Sequence, residues 1–204
     1  MRRAAVLFAL MLAGEAVFAL PFVIPRVFRP TVLGVLGIDN TQLGAAFSVY
    51  GAVAMAAYAL GGPLADRFPA RWMMAGALVS TSAGGLVLAA GPDVEALMWL
   101  YGFWGASTIL PFWAGMLRAT REWGGSDQQG RAYGLLDGGR GLVAAVLASG
   151  TVALFAGSMS VEGDPAVLRA AFQKVVLAVS AVTALSAVLV VWWVPEPAPL
   201  DDVR

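Results

Sequence analysis

Six apolar runs, each close to twenty residues or longer, constrain this chain more than anything else in it. They cover residues 4–26, 41–64, 72–90, 94–117, 129–156 and 166–194. About 20 mostly apolar residues cross the hydrocarbon core of a bilayer as an α-helix. In lipid, only helices and closed barrels satisfy their own backbone hydrogen bonds. The spacing therefore predicts an all-α integral membrane protein, with six transmembrane helices in one domain over residues 1–204. Composition agrees: 59% of residues are hydrophobic and 13% are charged, against about 25% charged in ordinary soluble domains.

The punctuation fits these spans. Gly91-Pro92-Asp93 makes a tight turn after the third. Gly124-Gly125-Ser126-Asp127 precedes the fifth, and Glu162-Gly163-Asp164-Pro165 precedes the sixth, with Pro165 suited to a first helical position. Pro195, Pro197 and Pro199 end the sixth span, before a short polar tail. Met1-Arg2-Arg3 followed by an apolar run has the outline of a leader peptide, but it lacks a convincing cleavage site, so the run reads as a retained first helix. The bias of basic residues favours both termini in the cytoplasm. That arrangement puts Arg2, Arg3, Arg67, Arg71, Arg118, Arg121, Arg131 and Arg204 inside, against Arg26, Arg29, Arg169 and Lys174 outside.

The chain contains no cysteine and no histidine. Disulfides, thiol catalysis, a Ser–His pair and His- or Cys-ligated metals are thereby excluded. There is no phosphate-binding loop of the G-x-x-x-x-G-K-[ST] type. With a net charge of zero, nothing suggests a nucleic-acid partner. The expectation is a non-enzyme with no cofactor and no metal, whose partner is the lipid bilayer.

Between the second and third spans stands Gly62-Pro63-Leu64-Ala65-Asp66-Arg67-Phe68-Pro69-Ala70-Arg71-Trp72. It resembles the gating-loop signature of the major facilitator superfamily, G-x-L-A-D-R-x-G-R-[RK]. Gly62, Asp66, Arg67 and Arg71 match the pattern, whereas Pro69 and Ala70 depart from it. Read without the family, the same stretch is a cytoplasmic turn with a helix-capping aspartate. Asp39-Asn40-Thr41-Gln42-Leu43-Gly44 is similar to the superfamily's start of the second helix, and Gly130-Arg131-Ala132-Tyr133-Gly134 through Arg140-Gly141 to its approach to the fifth. With Trp104-Gly105-Ala106 and Pro111-Phe112-Trp113, the chain looks most like the sugar-phosphate and organic-anion permease branch.

The resemblance covers the N-terminal six of the usual twelve helices. It implies a bacterial inner-membrane, multi-pass secondary transporter, a symporter of a small organic anion working by alternating access. In such transporters the substrate lies between two six-helix halves. A parallel homodimer with the second span of each copy against the fifth of the other would supply both. Gly44, Ser48, Gly51, Ala52, Ala56, Gly61 and Gly62 in the second span, and Gly134, Gly138, Gly141, Ala145, Ala148 and Ser149 in the fifth, are small residues of the kind that let membrane helices approach. The alternatives are packing of these stripes within one protomer, a separately encoded second half, and a non-transporting sensor or assembly protein.

Ionisable groups at membrane depth are expensive and point to function. Glu15 lies mid-way along the first span, and Asp137 and Arg140 lie three residues apart on one face of the fifth. Arg140, with a planar fork suited to carboxylate or phosphate, is the substrate-binding candidate. Glu15 and Asp137 are the proton-coupling candidates, since burial favours the neutral form of a carboxylate. The plainer reading of Glu15 and Arg140 is a structural ion pair joining two helices. Tyr101, Trp104 and Thr108 recur at helical steps in the fourth span and are the candidates for a substrate-lining wall. Trp99, Trp192 and Trp193 read as interface anchors, and Arg26 as a headgroup anchor or an outer gate.

Overall fold

The computed structural model of the chain describes residues 2–159 and 164–195. The turn residues Glu162 and Gly163, and the tail with Pro197, Pro199 and Arg204, lie outside the described residues. Among those described, every regular element is helical: α1 (Arg2–Phe18), a π-helical turn (Ala19–Val23), α2 (Ile24–Val27), α3 (Arg29–Leu36), α4 (Asn40–Arg67), α5 (Ala70–Ala90), α6 (Val94–Ser107), a second π-helical turn (Thr108–Trp113), α7 (Ala114–Gly124), α8 (Gln129–Ser158) and α9 (Pro165–Trp193).

Local chemistry sets these boundaries. Asp39 starts α4 with a reciprocal cap: its side chain accepts from the Gln42 N–H, and the Gln42 side chain accepts from the Asp39 N–H. Asp93 caps α6 through the Ala96 N–H, and Asp164 caps α9 through the Ala166 N–H. Gly37, Gly91 and Gly125 take the positive φ that ends α3, α5 and α7. Both π turns contain a proline, Pro21 or Pro111. A proline ring lacks the N–H and crowds the carbonyl four residues back, and a locally widened turn accommodates it.

Five stretches are long and apolar enough to cross a membrane: Arg3–Val27, Asn40–Leu64, Ala70–Ala90, Gln129–Ser158 and Pro165–Trp193. The fourth predicted span, 94–117, differs. It is built of α6, the π turn and α7 in succession, and α7 carries Arg118, Arg121 and Glu122. These charges lie beyond the predicted span, and within it the helix is interrupted by the second π turn and carries many residues of modest hydropathy, among them Tyr101, Trp104, Ser107, Thr108 and Pro111. A second difference is α3, a short helix in the stretch after the first predicted span.

α9 packs along α5 and α1; α4 packs along α6 and the second π turn; α8 rests against α1, α7 and α9. Close approach comes from small residues, as expected where lipid supplies no hydrophobic drive between helices. A Cβ added at Gly85 would collide with Ser180. Polar side chains then fasten the contacts: Ser82 Oγ donates to Ser180 O at 2.8 Å, Gln173 Nε2 to Ala89 O at 2.9 Å, and Thr183 Oγ1 to Ala16 O at 3.0 Å. At the end of the bundle that carries the N-terminus, Arg3 donates to Trp123 O and the Trp123 indole donates to Arg3 O, each at 2.8 Å.

α4 and α8 barely meet each other. Across the membrane-length window of α8 only 6% of residues are buried, and across that of α4 28%, against 56% for α5. These two helices flank an open face, with α1 and the second π turn between them.

Candidate functional site

Arg140 projects from α8 to α1 on this face. Its Nη2 lies 3.6 Å from Glu15 Oε2 and its Nη1 3.5 Å from Asp137 Oδ1. Its Nε donates to the Gly14 carbonyl at 3.2 Å. The guanidinium also lies over two rings, 5.5 Å from the centroid of Trp113 and 5.9 Å from that of Phe18, at the separation of cation–π contacts. The side chains of Arg140 and Glu15 are 19% and 14% exposed, whereas that of Asp137 is 70% exposed. Three candidates, one from α1 and two from a single turn of α8, therefore form one cluster. Arg140 and Glu15 sit half-sheltered, and Asp137 stands towards the open side.

Gly14 makes the cluster possible. A Cβ there would stand 3.0 Å from Arg140 Cδ and 2.9 Å from Met116 Sδ, so the arginine stem crosses α1 where α1 has no side chain. Gly14 and Phe18 were not singled out from the sequence, and Trp113 was noted there only among the fourth span's aromatics and in the family resemblance. Phe18 was legible in principle, one helical step from Glu15; Trp113 comes into range only through the second π turn.

Tyr101, Trp104 and Thr108 lie elsewhere. All are almost fully buried inside the bundle, and their polar atoms have internal partners. Tyr101 OH donates to Pro21 O at 3.1 Å, Trp104 Nε1 to Thr81 O at 3.1 Å, and Thr108 Oγ1 to Trp104 O at 2.6 Å, with Tyr50 OH a further 2.6 Å from Thr108 Oγ1. Helical spacing puts Tyr101 and Trp104 on one side of α6 and Thr108 at the start of the second π turn just beyond, and that side is turned to the core.

The gating-loop residues divide. Gly62 and Asp66 line a cleft of about 360 Å³ together with Tyr58, Arg118, Arg121 and Tyr133. Arg67 closes α4 in an exposed position, and Arg71 lies over the Trp72 ring at 5.2 Å. Asp66 is in the last turn of α4 and caps nothing; the residue before α5 is Pro69, which makes no side-chain cap. A carboxylate at a helix C-terminus meets the negative end of the dipole. The guanidinium groups lining the same cleft oppose that cost. Arg118 is itself paired with Glu122 at 2.8 Å. Arg118 and Arg121, three residues apart on α7, are the part of this cleft the sequence reading did not connect with Asp66.

A bundle of membrane-length helices with an arginine–carboxylate cluster on an open face invites comparison with known transporters. The Major Facilitator Superfamily profile matches residues 5–203. The chain belongs to that superfamily. Among its relatives, inner membrane protein YihN of Escherichia coli (strain K12) is 29% identical over 150 residues, which is 73% of this chain and 35% of YihN. Inner membrane protein YqcE of the same organism is 31% identical over 120 residues, 59% of this chain and 28% of YqcE. The chain thus spans about a third of the length of the curated relatives it matches. No solved structure gives a significant match. The Major Facilitator Superfamily is made of membrane-embedded transporters, not enzymes.

Proposed function

We propose that this chain forms one wall of an inner-membrane secondary transporter for a small organic anion, and that a second copy supplies the other wall. Six spans are counted in this reading, with the α6–π–α7 segment as the fourth and both termini in the cytoplasm. The observation that carries it is the Arg140 cluster on a face that none of the described residues covers.

The open face suits a second helical bundle. Gly51, Ala52 and Ala56 on α4, and Gly134, Gly138, Gly141 and Ala145 on α8, are exposed. A Cβ at Gly51, Gly134, Gly138 or Gly141 would meet no atom within 4 Å. Gly61 packs inside the protomer, where a Cβ would stand 3.4 Å from Ala114 Cβ and 3.5 Å from Leu110 O, but the other glycines of the two stripes have no such neighbour. A twofold axis along the membrane normal would set α4 of each copy against α8 of the other, a self-complementary contact that closes. The two Arg140 side chains would then face each other across the pathway.

In this account Arg140 receives the anion, exchanging its weak 3.5–3.6 Å contacts with Asp137 and Glu15 for a bidentate one. Glu15 carries the coupled proton, and exposed Asp137 passes it towards the pathway, which makes the transporter a symporter. Tyr101 ties α6 to the first π turn and Trp104 ties it to α5, while Thr108 fastens the start of the second π turn, which carries Trp113. Gly62, Asp66, Arg67 and Arg71 gate the cytoplasmic end. A purely structural Glu15–Arg140 pair is the competing reading, favoured by how well Arg140 is already partnered.

The test is uptake by proteoliposomes containing the full chain, screened across labelled carboxylates and sugar phosphates. Uptake of one such anion that is lost in Arg140→Ala, while the variant keeps its elution volume in detergent, supports the assignment. Unchanged uptake by that variant removes Arg140 from the site.

A further inference from the structure

We infer that Arg26 and Arg29 form a separate anion-capture station at the outer mouth of the same face, for the carboxylate, phosphate or sulfonate group of a free solute before it reaches Arg140. The inference rests on the proposal that the α1–α4–α8 face lines the pathway.

Position comes first. Glu15, Phe18, Phe22 and Arg26 follow one another at steps of three, four and four residues, which keeps them on one side of a helix. The contacts bear this out across the first π turn. Phe18 touches Phe22 at a centroid distance of 6.3 Å, and Phe22 stacks on Phe47 of α4 at 5.9 Å and 18°. Arg140 lies over Phe18 at the inner end of this stripe. Arg26 stands at its outer end, exposed and within electrostatic reach of Glu15. A headgroup anchor belongs on a lipid-facing side, but Arg26 shares a side with the Arg140 cluster.

The second observation is a cavity. Phe22, Pro25, Arg26, Arg29 and Phe47 line an open pocket of about 240 Å³. At roughly 30 Å³ per water molecule, this holds a charged group with a short carbon chain. The third is unbalanced charge. Neither arginine forms a salt bridge among the described residues. Arg29 Nε is fixed on Asn40 Oδ1 at 2.8 Å, which orients the guanidinium and leaves both Nη groups for a ligand. The acid nearest Arg29 in sequence, Asp39, accepts the capping bond at the start of α4. Two exposed cations whose nearest carboxylates are engaged elsewhere, Asp39 in the α4 cap and Glu15 with Arg140, concentrate anions beside stacked rings of low polarity.

The absence of cysteine from the chain gives a direct test that needs no knowledge of the substrate. Phe47→Cys places a thiol in the cavity wall, and Ser48→Cys provides a second reporter should the first fail to fold. Each is labelled in neutral nanodiscs with methanethiosulfonate reagents ending in a sulfonate or in a trimethylammonium group. The ratio of the two rates is compared with that for β-mercaptoethanol. The sulfonate should be favoured by about tenfold, the preference should vanish in the Arg26→Gln/Arg29→Gln background, and Arg169→Gln should leave it intact. Millimolar inorganic phosphate should slow sulfonate labelling only when the arginines are present. A ratio near one, or one untouched by the double substitution, overturns the proposal. So does loss of the preference on adding anionic lipid, which would show the arginines held by headgroups. Sulfonate preference without any anion uptake would count against the transport reading alone.

Discussion

Arg140 reaches Glu15 at 3.6 Å only because the residue beside Glu15 is Gly14, whose bare Cα lets the arginine stem cross α1 and donate to its carbonyl. One helix thus supplies the acid, the acceptor and the gap. The contact joins α8, the least buried membrane-length helix, to the core of the bundle.

Adding a methyl group there tests the arrangement without touching a charge. Gly14→Ala puts a Cβ 3.0 Å from Arg140 Cδ, so the side chain must shift. Overpacking of this kind costs about 1–3 kcal/mol. Thermal unfolding in detergent should move down accordingly, and anion uptake should fall more than stability does. Full uptake by Gly14→Ala would mean that the position of Arg140 is unimportant to transport.

Removing either partner separates structure from function. Arg140→Gln leaves Glu15 half-buried without its cation, and the loss should be about 2 kcal/mol, below the 3–5 kcal/mol of a fully buried pair. Glu15→Gln combined with Arg140→Gln should regain most of that stability and none of the uptake. Recovery of uptake in the double variant would leave the pair a structural role only.

Most of the bundle was legible in the sequence because bilayer thickness and helix rise dictate run length. Five of the six predicted runs are membrane-length helices in the structure. The exceptions arise at particular residues. Pro21 and Pro111 announce a disturbance, but a proline does not say whether a helix will kink, break or widen, and here both sites widen. Glu15, Asp137 and Arg140 were recognisable by their cost in lipid, and they cluster. Tyr101, Trp104 and Thr108 were chosen by spacing alone. Periodicity defines a side of α6 but not which neighbour that side faces, and in this bundle it faces Pro21 and Thr81. The Arg118–Arg121 edge of the Asp66 cleft depends on α7 passing α4, a long-range contact with no local signal.

Trp104 offers a test of that reassignment. Its ring is fully buried and its Nε1 donates to Thr81 O. Trp104→Phe should cost about 1–2 kcal/mol from the lost hydrogen bond and the space left, with the substrate affinity of the folded fraction unchanged. A large rise in KM at unaltered stability would return Trp104 to the substrate wall.

The Arg3–Trp123 clamp closes the end of the bundle that holds the N-terminus, with the Arg3 guanidinium also lying 5.2 Å from the indole centroid. Trp123→Leu removes the indole donor and the cation–π partner together. Each is worth about 1 kcal/mol or less where water has access. Proteolysis or hydrogen exchange should show α1 fraying at its start before the rest of the bundle loosens. Equal protection in the variant would mean that the clamp does not anchor α1.

The account turns most on the second copy across the open face. In the cysteine-free chain, Gly51→Cys in α4 and Gly141→Cys in α8 both sit on uncovered small-residue positions. Copies carrying one substitution are mixed with copies carrying the other, reconstituted in lipid and mildly oxidised. The account predicts a disulfide-linked species of twice the monomer mass, formed in the mixture far faster than by control cysteines at Leu185 on α9. A chain that stays monomeric by native mass and gives no α4–α8 cross-link would contradict it.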